Sequence, residues 1–154
     1  MGQAPIASLA NPWYSAEHSR NFKTFTLNNT KKFVLLAHTF PADYPRSDHW
    51  DLMLEDDGTL LTWELEKPFG LAATDATTSA DSGQTIVARR LDDHRLEYLE
   101  YEGQISGGRG SVKRVLSGEF CWTNIEKTKA TLAFNGSQCS IEIRDGNIVV
   151  NCQQ

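Results

Sequence analysis

From residue 31 onward, short runs of alternating apolar and polar residues follow one another: KKFVLLAHTF, HWDLMLE, LLTWELE, TIVARRL, RLEYLEYEG, SVKRVLSGEF, KATLAFN, SQCSIEIR and NIVVNC. A period of two marks a half-buried strand, and helical periodicity is nearly absent. Asp57-Gly58, Asn135-Gly136 and Asp145-Gly146 stand between runs and suit two-residue hairpin turns. Eight or nine such strands predict an all-β fold, a single antiparallel β-barrel of about eight short strands. ATLAFNGSQCSIEIRDGNIVVNC reads as a meander that completes it. Pro5, Asn11, Pro12, Asn28 and Asn29 break the pattern at the start, so residues 1–30 are expected to form an irregular arm and residues 31–154 the barrel domain. The polar stretch ATDATTSADSGQ at residues 73–84 predicts a mobile surface loop.

Charge narrows the choice of partners. Fifteen Lys and Arg stand against twenty Asp and Glu, a net charge of -5, so no global basic field holds a duplex and any nucleic-acid contact must be local. Cys121, Cys139 and Cys152 are far apart and show no CxxC spacing, which argues against a zinc knuckle or a disulfide-dense scaffold; the odd count suits a reducing cytoplasm. Without a signal-peptide pattern or an apolar run of about 18 residues, a cytoplasmic protein with no membrane contact is expected.

The candidate chemistry lies on the strands. In DHWDLMLE, alternation gives Trp50, Leu52 and Leu54 one face, an apolar one, and His49, Asp51, Met53 and Glu55 the other. His38 ends the run KKFVLLAH, and a loop of about ten residues returns the chain to His49, so adjacent antiparallel strands can gather both imidazoles and Asp51. Two imidazoles and a carboxylate with open positions suit Mn²⁺, Zn²⁺ or Fe²⁺. The alternative is that Asp51 accepts a hydrogen bond from a neighbouring strand or turn and His49 is partly exposed. In RRLDDHRLEYLEYEG, alternation places Arg90, Asp92 and His94 on one face, continued by Leu96 and Tyr98 in an unbroken strand. Such a face can bind phosphate, or it can be a strand edge laced with ion pairs. ISGGRGSVKR, with Arg109, offers backbone N–H groups and cations to an anion but lacks P-loop spacing; a hairpin turn explains it too.

Taken together, FVLLAH, HWDLMLEDDGTLLTWELEK and RLDDHRLEYLEYEGQISGG resemble, in order, the 3′-phosphoesterase domain of bacterial DNA ligase D and its stand-alone relatives. That family shows a strand-ending histidine, a His-Tyr-Asp-Phe-Arg-Leu-Glu run before an aspartate-glycine turn and a Ser-Trp pair, and an Asp-His-Pro-Leu-Glu-Tyr segment leading to Glu-Gly. The resemblance spans roughly Phe33 to Glu119. It implies His38, His49 and Asp51 as ligands of a divalent metal, Mn²⁺ in the family. It also implies His94 and Tyr98 beside the scissile phosphate, and Lys67 as the lysine following the family tryptophan. The implied activity removes a 3′-terminal ribonucleoside and then the 3′-phosphate, leaving a 3′-OH for repair. Nucleic-acid 3′ ends are the implied partners, with a separate ligase or polymerase, and a monomer is expected.

The chain departs from the family in two places. Met53 stands where the family has arginine, and another family arginine falls near Ile86. Arg90 and Arg109 are the candidates to replace them as phosphate ligands, with His94 donating to or positioning an oxygen. Restoring the guanidinium with Met53→Arg is expected to raise any phosphoesterase rate. Two further functions stay open: a non-catalytic module of the same fold that binds phosphorylated ends or a protein partner, and a hydrolase of small phosphoesters.

Overall fold

The computed structural model describes residues 30–70 and 83–153. The predicted arm, apart from residue 30, and most of the predicted surface loop lie outside the described residues. Among the described residues nine strands form one antiparallel sheet: β1 (Lys31–Thr39), β2 (His49–Asp56), β3 (Thr59–Leu65), β4 (Gln84–His94), β5 (Gly103–Gln104), β6 (Ser111–Trp122), β7 (Lys129–Phe134), β8 (Ser137–Arg144) and β9 (Asn147–Gln153). The order β1-β2-β3-β4-β9-β8-β7-β6 closes through β1–β6 pairing, and β5 adds a short strand beside β6. The predicted barrel and its C-terminal meander are therefore as expected. At Asp57-Gly58 and Asn135-Gly136 both turn residues have positive φ, the twist that a two-residue hairpin needs.

Alternation fills the interior. Phe33 and Leu35 from β1, Leu52 and Leu54 from β2, and Ile86 and Ile148 across the barrel pack into one core. The outer face of β1–β3 is buried as well, beneath a second cluster of Val34, Leu36, Met53, Leu60, Ile105 and Val112 against which Tyr98 and Leu99 pack. Both faces of β2 are thus largely covered, which explains its nearly continuous burial.

Two expectations are corrected. The run RLEYLEYEG is not a strand: β4 ends at His94 and the chain turns into a 3-10 helix, Leu96–Leu99. That turn lays Tyr98 and Leu99 on the outer cluster, a tertiary gain that local alternation does not reveal. Nor do Arg90 and His94 share a face. Between the pairs Thr62↔Leu91 and Leu60↔His94, β4 carries one extra residue, a bulge that resets the alternation. Arg90 falls opposite Trp63, with its guanidinium 5.0 Å from that ring, and ion-pairs with Asp93.

The cysteine spacing that argues against a disulfide-dense scaffold leaves room for one bridge. Cys139 and Cys152 stand directly opposite each other on β8 and β9 and are joined by a disulfide, while Cys121 is free.

Candidate metal centre

His38 and His49 are direct cross-strand partners at one end of the β1–β2 ladder, and Asp51 follows two residues along β2 on the same face. One ligand atom from each of the three lies within 4.8 Å of the others. The hairpin loop between the histidines is tied by its own polar groups: the Phe40 N–H donates to the Asp48 carboxylate at 2.8 Å and the Tyr44 N–H to the Pro41 carbonyl at 2.9 Å. The Phe40 ring stacks on His38, its centroid 4.2 Å away, and carries Tyr44 on its other side.

Each imidazole is oriented by a backbone carbonyl. His49 Nδ1 donates to Ser47 O at 3.0 Å, and His38 Nε2 donates to Arg109 O at 2.8 Å. A carbonyl only accepts, so the proton sits on those nitrogens, and the lone pairs of the neutral rings point the other way. They meet Asp51: His38 Nδ1 is 3.3 Å from Oδ2 and His49 Nε2 is 3.3 Å from Oδ1. Asp51 is only 3% exposed, and its Oδ1 makes no hydrogen bond among the described residues. Lone pairs facing a buried carboxylate need a cation between them, either protons or a metal ion. Two nitrogens and one oxygen, with carbonyls behind the imidazoles, are a donor set that fits a divalent transition metal.

The electrostatics agree. Burial pushes the Asp51 pKa up, but donors on His38 and His49 outweigh it and hold the carboxyl at about 2. Burial works against charge on His49, yet the contact with Asp51 and the Ser47 carbonyl raise its pKa above 6.5. Glu64, the cross-strand neighbour of Asp51, lies 3.9 Å from His49 Nε2 and is held by Arg46 and Arg89. Glu64 was not among the sequence candidates; the only sequence sign of it is its place beside Trp63, on the strand that follows the HWD segment.

The Gly-rich segment supplies a further part of the centre. It is the Arg109 carbonyl that touches His38, whereas the Arg109 guanidinium turns back to Ser106, with Nε donating to its carbonyl at 2.8 Å. Gly110 makes this approach possible, because a Cβ there would overlap the Thr39 carbonyl oxygen.

His94 and Tyr98 form a second group. His94 Nδ1 donates to Asp92 O at 2.9 Å, which leaves Nε2 outward, and the Tyr98 ring stands edge-on at 5.5 Å. His94 is opposite Leu60, whereas Asp51 is opposite Glu64. Four residues of strand, about 13 Å, therefore separate the two rows. Lys67 is exposed just beyond β3, at the His49 end of the sheet. Met53 is 1% exposed inside the outer apolar cluster and Ile86 is sealed in the barrel core.

With this geometry in place, the comparison with known families is decisive: the model of the DNA ligase D 3′-phosphoesterase domain matches residues 42–149. The chain belongs to the DNA ligase D 3′-phosphoesterase domain family. No curated protein matches it. The family is metal-dependent and acts on nucleic-acid ends, and the His38, His49 and Asp51 cluster is a possible metal site of this family member. No helix among the described residues is long and apolar enough to cross a membrane.

Proposed function

We propose that the protein is a manganese-dependent 3′-phosphoesterase that removes 3′-terminal ribonucleosides and 3′-phosphates from nucleic-acid ends. It would work as a cytoplasmic monomer, leaving a 3′-OH for a separate repair ligase or polymerase. The observation that carries this reading is the cluster of His38, His49 and Asp51, whose ligand atoms lie within 4.8 Å of one another, in a chain of this family. A divalent ion held there supplies a Lewis acid for a phosphate oxygen. The chain's own groups do the rest. The Ser47 and Arg109 carbonyls hold the ligand rings in one tautomer. His94, its Nδ1 proton committed to Asp92, has Nε2 free to take or give a proton along the strand, with Tyr98 beside it. Lys67 and Arg109 are the cations assigned to phosphate, and Arg109 must first release Ser106; Arg90, on the other face of β4 over Trp63 and paired with Asp93, drops out of that set.

The test is a manganese-supplemented assay on a 5′-labelled primer-template ending in one ribonucleotide or a 3′-phosphate, with His49→Ala, Asp51→Ala and His94→Ala in parallel. Shortening or dephosphorylation by wild type, lost in all three variants with metal binding weakened only in the first two, is the expected result. Absence of product from wild type with manganese bound would instead favour a non-catalytic end-binding module. One observation speaks for that second reading: at the family's arginine position this chain has Met53, buried in an apolar cluster. Competition by oligonucleotide ends separates both from a hydrolase of small phosphoesters.

A further inference from the structure

We infer that the concavity between the 3-10 helix Leu96–Leu99 and the Gly-rich loop is a nucleobase site, receiving the terminal base of a strand whose end lies at the metal centre. The inference rests on the end-processing function proposed above. The concavity measures about 210 Å³ and is lined by Arg95, Tyr98, Tyr101, Gln104, Ile105 and Ser106 among others. Pockets for drug-sized ligands run to roughly 300–1,000 Å³, so this one suits a single flat ring system.

Its lining matches that shape. The Tyr98 and Tyr101 rings meet edge to face, centroids 5.9 Å apart and planes at 80°, so they make a corner: a base stacked on one ring meets the edge of the other. Tyr101 is 39% exposed, and its hydroxyl donates to the Gln104 carbonyl, which fixes the ring. The Gln104 amide offers a donor and an acceptor to the edge of a base, beside Arg95, whose guanidinium ion-pairs with Glu97, a further residue of the lining. Aromatic faces with cations beside them are the means by which single-stranded nucleic acids are held.

Position links the concavity to the chemistry. Ser106, at one end, accepts hydrogen bonds from Arg109 at 2.8 and 3.2 Å, and the carbonyl of Arg109 is the one that orients His38. Tyr98, at the other end, stands beside His94. A 3′-terminal nucleotide carries a flat base a few bonds from its phosphate, the same pairing of features.

The test compares two oligonucleotides with a 3′-phosphate, one ending in a fluorescent purine analogue and one in an abasic residue, mixed rapidly with the manganese-loaded protein. Wild type should quench the purine and bind it roughly ten-fold more tightly than the abasic end. Tyr101→Ala should abolish that preference and Tyr101→Phe, which keeps the ring, should retain it. Equal affinity for both ends in wild type, or a preference surviving in Tyr101→Ala, would overturn the base site, and phosphate release in the same mixtures would leave the end-processing function standing. Base-dependent quenching without release would uphold the site and remove the function. Failure of both oligonucleotides to bind would remove both.

Discussion

Protons and a metal ion compete for the same three side chains. With no ion between them, burial works against a second proton on His49, but the facing Asp51 favours it and raises the His49 pKa above 6.5, while Asp51 itself is held at about 2. Binding a cation must expel that proton. Manganese affinity is therefore expected to rise about ten-fold per pH unit up to the raised His49 pKa and to flatten above it, as titrations followed by electron paramagnetic resonance between about pH 6 and 8 would record. The sign for stability follows from the same shift. A raised folded-state pKa stabilises the metal-free protein below 6.5, and this contribution is lost as pH rises through the folded value. The metal-free protein should thus melt at lower temperature on the alkaline side, and manganese should erase the loss. The burial of Met53 sets an opposite expectation beside the sequence-based one for Met53→Arg. Met53 is 1% exposed and packs with Val34, Leu36, Leu60 and Ile105, so a guanidinium that stays in that cluster, short of Asp51 and Glu55 on the same face, is buried unpaired at a cost of about 3 kcal/mol or more. Urea denaturation should show a lowered midpoint, and any phosphoesterase rate should fall with it. A rate that rises at unchanged stability would mean that the arginine escapes the cluster toward the metal.

Among the elements, the Gly-rich loop places the metal centre under the control of a segment some seventy residues from the first ligand. Gly110 has φ +77 and packs against the end of β1, with no room for a Cβ beside Thr39. Gly110→Ala should lift the loop and remove the carbonyl from His38, weakening manganese binding by roughly 10- to 100-fold, the usual effect of losing a partner behind a ligand. Gly108→Ala is the control: its Cβ would meet nothing within 4 Å, so it pays only the local cost of a positive φ, about 1 kcal/mol, and keeps the metal affinity. Equal metal loss in both variants would mean that loop strain, not the contact at Thr39, governs the site. The pairing of His38 with His49 in the candidate centre was legible because period-two alternation and one hairpin fix it; both depend on local sequence. The backbone carbonyl of Arg109 was not, since a carbonyl has no residue type and the loop reaches His38 only through barrel closure. The β4 bulge was equally silent: one extra residue between Arg90 and His94 reverses a face without altering the hydrophobic pattern. Tyr98 and Leu99 show a third limit, because their apolar spacing serves a turn folded on the outer cluster as well as it serves a strand.

For the whole molecule, barrel closure and charge decide how a nucleic acid can be held. Strand count and hairpin turns were readable along the chain, but the β1–β6 seam that closes the barrel joins segments about eighty residues apart and has no local sign. The disulfide of β8 and β9 escaped for the same reason, since its cysteines face each other only through register. Closure leaves a surface on which many cations are already paired: Arg46 and Arg89 share Glu64, Lys31 and Lys127 share Asp56, Arg90 holds Asp93, and Arg144 holds Glu142. With a net charge of -5 over the chain, the described residues leave little positive surface to follow a phosphate backbone. The affinity for a phosphorylated 3′ end should then come from the terminal one or two phosphates. Each phosphate neutralised on a single strand contributes about -0.7 to the slope of log affinity against log salt. The slope is therefore expected at about -0.7 to -1.4, and it should be the same for a short and a long oligonucleotide, as fluorescence anisotropy across a sodium chloride series would record. A slope that steepens with strand length would mean that the barrel carries a backbone track. The paired arginines would then have to exchange their carboxylates for phosphates on binding, and Arg89→Gln or Arg144→Gln would lower the slope by about 0.7 each. If the slope stays shallow and independent of length, recognition is confined to the end of the strand.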